Sequence, residues 1–419
     1  MNLYWIKDKT QKIFLTSEFW LGNNVSFTNE LMYQPTISFV LPIPILNGQN
    51  ESDSTPDASF EFVIEFDSGR IFQGRVANKQ YDLIAGTVTI DADHIVEELN
   101  HYRIPTNYAV SNKSFDEIYN TEKDLEGKFN HEGWTFLCMD DIKDVRFTYL
   151  FSNQSKLEAL TDACRQTEDV FWRVSLTEMR TIEIGKFGQY KELMIDETNL
   201  LGNTFGIEEN YDDICNYGIY FTDKSDSGTT ALTLRDVYNR PELQDPNFPI
   251  IQTGLEINTE RNYDYMDLIP FGANNHGDYA VLDIEGVALE EGNIYEEAFT
   301  SNDVQSVAKS NEEITDADRL EASKQLYKQA IRKLIHSRRK VAYTVKIPNL
   351  PTEYNVGDKV RLTFVGKILE ITTCSNYYHN LLCVSDYFYI SSLTETIGSG
   401  GHVTWDLTLE KFIYNNGEV

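Results

Sequence analysis

TDADRLEASKQLYKQAIRKLIHSRRKVAYTVKIPNLPTEYNVGDKVRLTF, residues Thr315 to Phe364, is the stretch on which the fold reading turns. Leu320, Tyr327, Ile331 and Leu334 fall on one stripe of a helix. Thr315 and Asp318 form a capping pair at its start, the Asp standing in for the usual Glu. Arg332, Lys333, Arg338, Arg339 and Lys340 crowd its end, where cations complement the helix dipole. The period then changes from helical to alternating. Val341, Tyr343, Val345 and Ile347 predict a strand, Pro348 to Val356 a loop, Gly357-Asp358 a tight turn, and Val360, Leu362 and Phe364 a second strand.

Outward from there the chain reads as mostly strand. Tyr387–Glu395 and His402–Phe412 flank Gly398-Ser399-Gly400-Gly401, which predicts a long hairpin and not a dinucleotide loop, because no helix follows the glycines. On the N-terminal side, residues 283–313 carry many carboxylates, including Glu290, Glu291, Glu296 and Glu297, and read as a mobile loop or linker. Asn216–Thr222 and Thr229–Arg235 read as strands around a turn. Ser155 caps a helix to Glu168 with Leu157, Leu160, Ala163 and Cys164 on one face; a hairpin, Val170–Val174 and Arg180–Gly185, follows it. Phe60–Phe66, Arg70–Val76 and Gly86–Ile90 are further strands, and the polar run Leu46–Ala58 is an exposed loop. Ile37–Leu46 carries Pro42 and Pro44 and reads as an extended edge segment. The expected fold class is β-dominated α+β and multi-domain. Residues 1–145 form an N-terminal β domain, 146–210 a helix-plus-hairpin α+β domain, 211–300 a β domain with an acidic loop, and 301–419 a helix with a β-barrel domain, allowing for discontinuity.

Composition bounds the function. The 419 residues hold 66 acidic and 36 basic side chains, a net charge of −30, with 24 Tyr and 23 Phe to favour strands. Nucleic acid is held by cations that neutralise phosphates, and the chain as a whole has the wrong sign. Cys138, Cys164, Cys215, Cys374 and Cys383 are odd in number and contain no C-x-x-C, so reduced thiols are expected. The N-terminus has no apolar signal region, and no apolar run is long enough to span a bilayer.

Candidate chemistry is sparse. Phosphate-loop, zincin, nucleophile-elbow and EF-hand motifs are absent. On a helix over Asp93–Asn100, His94, Glu98 and His101 would share one face and could hold a divalent ion. The competing reading makes Asp91 or Asp93 a cap and these residues a solvated face. Asp140-Asp141 and Asp212-Asp213 are adjacent pairs that a strand would point to opposite sides, so they read as solvated loop acids. Trp5, Trp20, Trp134, Trp172 and Trp405 could line a sugar groove but sit in core-like contexts. Tyr377-Tyr378-His379-Asn380 is the better surface contact. No catalytic, cofactor-binding or metal-binding residue is assigned.

The helix Arg319–Arg339, the strand Arg339–Ile347, the Gly357-Asp358 pair and the following strand together resemble the closing domain of phage tail hub proteins. That family comprises the hub portion of siphophage tail-associated lysins (Tal) and contractile-tail baseplate hub proteins. Ser155–Glu168 followed by DVFWRVSLTEMRTIEIG (Asp169–Gly185) and Asn216–Thr222 resembles its helix-plus-hairpin domain. The resemblance implies two barrel-like, tail-tube-like β domains per chain and a homotrimeric ring at the tail tip. The ring would dock on the distal tail protein, with the tape measure protein and receptor-binding or fibre proteins as neighbours, and DNA would pass through its lumen without specific binding. It implies a virion structural protein made in the host cytoplasm, without enzyme activity or cofactor. The alternatives are a cell-wall polysaccharide hydrolase, which needs two carboxylates across a cleft, and a carbohydrate- or receptor-binding module, which needs exposed aromatics.

Overall fold

A computed structural model gives the three-dimensional structure. It describes residues 1–7, 11–17, 25–43, 61–104, 108–151, 153–167, 170–202, 204–210, 217–222, 255–258, 281–284, 296–301, 316, 320, 340–365, 383–398 and 400–411. The chain divides into two units. One is Met1–Glu208 with Val341–Phe412, the other Glu209–Lys340 with Ile413–Val419.

The strands run β1 (Asn2–Lys7), β2 (Gln11–Thr16), β3 (Val25–Glu30), β4 (Thr36–Pro42), β5 (Glu61–Glu65), β6 (Ile71–Asp82), β7 (Thr87–His94), β8 (Tyr108–Ser114), β9 (Thr135–Cys138), β10 (Arg146–Phe151), β11 (Phe171–Val174), β12 (Thr181–Gly185), β13 (Tyr190–Ile195) and β14 (Phe205–Asn210). The second unit holds β15 (Tyr217–Thr222), β16 (Leu255–Asn258), β17 (Val281–Ile284) and β18 (Glu296–Ser301). The chain returns through β19 (Lys340–Ile347), β20 (Lys359–Val365), β21 (Cys383–Ile397) and β22 (Val403–Glu410). Helices α1 (Lys123–Phe129) and α2 (Lys156–Arg165) lie between β8 and β11. The fold is strand-dominated α+β.

One large sheet carries the first unit, in the order β14-β19-β22-β21-β3-β4-β7-β6-β5-β1-β2. The 15-residue β21 forks it: Cys383–Tyr389 pairs with β20 and Ser392–Ile397 with β3, while β22 runs along its other edge. Strands from the two ends of the sequence thus share one ladder. Alternation then sorts the side chains by face. Phe27, Ile37, Leu393 and Leu407 are buried on one side. On the other, Thr394, Thr28 and Thr36 lie side by side across β21, β3 and β4, with Thr396, Ser26 and Ser38 in the adjacent row. Thr28 Oγ1 and Thr394 Oγ1 are 3.0 Å apart.

β4 is not an edge. It pairs with β3 on one side and β7 on the other. Pro42 is its last residue, where a missing N–H costs the ladder least, and this is why the proline misleads. The expected hairpins at Ser68-Gly69 and Gly398–Gly401 are present; Gly69, Gly400 and Gly401 take positive φ. β6 and β7 form a longer hairpin than expected. Beyond Arg75, β6 has lost β5, and from Asn78 to Asp82 it pairs with β7 alone among the described residues. At the tip, Asp82 Oδ1 accepts from Ile84 N and Ala85 N, yet Leu83 and Ile84 are 83% and 102% exposed.

The middle segment adds to the same core. β11, β12 and β9 form one small sheet and β8 and β10 another. Between them Tyr119, Phe129, Phe136, Phe151, Leu160 and Trp172 are buried. Helix α2 starts at the expected cap: Ser155 Oγ accepts from Glu158 N, and the Glu158 carboxylate accepts from Ser155 N.

In the second unit β16, β17, β15 and β18 form a sheet in that order. Here the linker reading of residues 283–313 is corrected in part. Glu296 and Glu297 begin β18, which pairs in parallel with β15. Among the described residues β18 ends the sheet, and charged side chains are common on edge strands, so acidity did not exclude a strand. The Thr315–Arg339 helix lies outside the described residues apart from Asp316 and Leu320. So do Thr229–Arg235, Leu46–Ala58, Asp212-Asp213, Trp20 and Tyr377–Asn380. Among the described residues no helix is long and apolar enough to cross a membrane.

Candidate functional site

The Gly357-Asp358 turn is the point where the first unit is tied together. Gly357 has φ +86°, a conformation that strains any residue with a Cβ, and such an atom would also meet the Phe187 side chain at 3.1 Å. Its N–H donates to Ile390 O (2.8 Å), and its carbonyl accepts from Gly188 N (2.8 Å). Asp358 closes the turn by accepting from Asn355 N (3.0 Å). It also accepts from Arg173 (3.0 Å) on β11 and Lys191 (2.7 Å) on β13. Asn355 reaches in two directions: its amide donates to Val174 O (3.1 Å), and its side-chain oxygen accepts from Asn29 (2.9 Å) on β3. Arg173 completes the set, with Nε on Glu183 (2.7 Å), a terminal nitrogen on Val356 O (2.7 Å) and its guanidinium 4.0 Å from the Phe187 ring centre.

Two further buried arginines extend the junction. Arg70 is fully buried; it stacks on Trp405 at 4.2 Å and donates to the carbonyls of Leu350, Pro351 (2.7 Å) and Tyr354 (3.1 Å). It therefore holds the loop that precedes the Gly-Asp turn. Burial lowers its pKa to about 10, against the opposing pull of Glu395 and Glu353. Burial pushes the Glu395 carboxyl up to about 7, although Arg70 and a hydrogen bond from Ser68 (3.2 Å) favour its charged form. Arg180, at φ +48°, bonds both Glu61 and Glu98 (3.1 Å to Glu98 Oε1), and its backbone N–H donates to Gln73 (2.8 Å). Burial works against the Arg180 charge, but hydrogen bonds to Glu98 and Glu61 outweigh it and raise the pKa. Arg75 takes the other Glu98 oxygen (2.8 Å), and His131 Nε2 lies 3.3 Å from Glu98 Oε1.

This arrangement corrects the metal candidate. Residues 95–101 form a 3-10 turn. With three residues per turn, Glu98 and His101 align while His94 is displaced by about a third of a turn, so the three do not share a face. His94 is itself the cap: its Nδ1 accepts from Val96 N (3.1 Å), while Asp91 and Asp93 sit in β7. The solvated-face reading holds only in part: His101 is exposed and Glu97 half-buried, whereas His94 and Glu98 are each 5% exposed. Burial, and next Arg180, press the His94 pKa down to about 3, so the ring is neutral. Among the described residues no group of three His, Cys, Asp or Glu side chains is placed to hold a metal.

The other candidates separate in the same way. Asp140 and Asp141 lie in a 3-10 turn and not on a strand; Asp140 pairs with Lys143 (2.6 Å), and Asp141 accepts from Lys186 N (3.3 Å). Trp134, Trp172 and Trp405 are core residues, as expected. Cys138 and Cys164 are free thiols, and burial raises Cys138 to about 12, which makes it unreactive at neutral pH.

No family model matches the sequence, and no curated protein matches it. Solved structures do match over nearly the whole length. The 43 kDa tail protein of prophage MuSo2 from Shewanella oneidensis is 12% identical, with 98% of each chain covered and a TM-score of 0.54. A tail protein from Neisseria meningitidis is 11% identical over 98% of this chain and 96% of that one, at a TM-score of 0.54. A prophage tail protein from Listeria monocytogenes is 11% identical over 100% and 96%, at 0.51. The fold is that of phage tail proteins. Within this tail-protein fold, the Gly357-Asp358 pair that carried the sequence resemblance is the pivot of the first unit. Its partner Arg173, and the neighbouring buried Arg70 and Arg180, were not singled out in the sequence. The one local signal was Asn355 three residues before Asp358, a spacing at which an Asx side chain can close a turn.

Proposed function

We propose that the protein is a structural hub subunit at the distal tip of a phage tail, acting without catalysis. Three copies form a ring that docks on the distal tail protein, meets the tape measure protein and frames the exit for DNA. The observation that carries this reading is the extent of the fold match: each of the three tail proteins is covered over at least 96% of its length. The junction supports it. A ring that transmits force needs domains that do not slip, and buried, hydrogen-bonded charges fix relative geometry better than apolar contacts do. The net charge of −30 and the row of Ser and Thr hydroxyls across β21, β3 and β4 also suit a passage that nucleic acid crosses without being held.

The test is the mass in solution by light scattering, followed by negative-stain imaging of the same peak. A trimer with a three-fold ring projection is expected. A stable monomer that also fails to form rings when mixed with the distal tail protein overturns the reading.

A further inference from the structure

We propose that the open cleft between the β3–β4 turn and helix α2 binds a short neutral saccharide. It has a volume of about 650 Å³, within the range of small-ligand sites. Tyr33 stands in its lining, 67% exposed, an aromatic face of the kind that stacks on the apolar side of a sugar ring. Trp172 forms part of the floor and is held in place by a hydrogen bond from Nε1 to Thr161 Oγ1 (2.9 Å).

The charges of the cleft cancel. Two arginines and two carboxylates line it: Arg165 bonds Asp162 (3.3 Å), and Arg103 acts on Glu158. On a chain of net charge −30 this is a locally neutral, hydrogen-bonding surface, suited to an uncharged ligand rich in hydroxyls.

Two further observations point to an occupant. Gln154 also lines the cleft; its amide nitrogen donates to Asp162, but its Oε1 is buried without a partner. A buried acceptor left unpaired is costly, and a turn of the Gln154 side chain that brings Oε1 into the cleft would let a ligand hydroxyl satisfy it. Met32 and Asn153, both lining residues, hold φ of +61° and +52°, a conformation that non-glycine residues adopt at a cost and that clusters at ligand sites.

The inference stands apart from the ring and is tested on the purified chain whatever its oligomeric state. Saturation-transfer NMR with chitotetraose, maltotetraose and mannotetraose is the measurement. Transfer to at least one of them is expected. It should weaken about tenfold in Tyr33→Ala, the loss of one stacking contact, and also fall in Gln154→Ala. It should persist in Tyr387→Ala, which removes an exposed tyrosine elsewhere. Both exposed tyrosines can be replaced without touching the core, and the unfolding midpoints of all three variants confirm folding. Absence of transfer to all three sugars overturns the proposal, as does transfer that survives intact in both Tyr33→Ala and Gln154→Ala.

Discussion

The junction around Gly357-Asp358 and the tip of the β6–β7 hairpin invert the usual distribution of side chains. The junction buries Arg70, Arg173, Arg180, Glu61, Glu98 and Asp358, while the tip leaves Leu83 and Ile84 in solvent. The difference separates two kinds of requirement. Charges are buried only where nearly every donor and acceptor can be matched, and the match exists only if the N-terminal sheet, the middle segment and the C-terminal loop come together in one geometry. Apolar side chains that stay in solvent at a turn tip contribute little to the stability of their unit.

Four substitutions or conditions would break or sharpen this contrast. Arg180→Ala should have the largest effect, because it strands Glu61 and Glu98 in the interior. We expect a loss of about 3–5 kcal/mol in urea unfolding, and a variant within 1 kcal/mol of the parent, on the same order-of-magnitude scale, would mean the cluster is solvated. The second effect is set by pH. The His94 ring is held neutral in the folded state, whereas the unfolded chain accepts a proton near pH 6.5. Stability should therefore fall as pH drops below 6.5, by about 1.4 kcal/mol per unit from this group, and the loss should continue toward pH 3. His94→Asn keeps an oxygen for the Val96 cap and should flatten that limb of the profile; an unchanged slope would remove His94 as its cause.

Glu395 has the opposite sign. Its folded pKa is raised to about 7, so its destabilising contribution is absent below pH 4.5, grows between 4.5 and 7 and is complete above. Glu395→Gln should accordingly stabilise the protein at pH 8 by about 1–2 kcal/mol and leave it unchanged at pH 4. Equal effects at both pH values would point to packing and not ionisation. The smallest effect belongs to the tip: Leu83→Ser with Ile84→Ser should shift the unfolding free energy by less than about 0.5 kcal/mol. A larger loss would show that the tip is packed in solution.

Much of the fold was legible because its signals are local. Ser155 and Glu158 announce the α2 cap within four residues. The alternation in Val341–Ile347 and Val360–Phe364 marks β19 and β20, and four closely spaced small residues mark the β21–β22 turn. Failures came where distant partners decide. Pro42 looked like an edge residue because the strand on its far side, β7, begins 45 residues later. The helix expected over Asp93–Asn100 became a tighter turn, with Glu98 drawn inward by Arg180, 82 residues away in sequence. Acids in β18 resembled a linker because the partner that makes it a strand, β15, lies 79 residues earlier in sequence. The proposed cleft was legible only in Trp172, one of the tryptophans weighed for a sugar groove; Tyr33 and Gln154 come from two other segments and join it only in the folded chain.

The ladder that joins β3 to β21 has a consequence for synthesis. Thr28 and Thr394 touch across 366 positions of sequence. During translation, β3 emerges early and keeps that edge open until β21 has left the ribosome. At about 5–20 residues per second that interval is tens of seconds. A prematurely terminated product lacks the strand that seals this edge, and lacks Asp358 and Trp405 to receive Arg173 and Arg70. The sheet of the first unit can therefore close only after its last strands, β21 and β22, have been made.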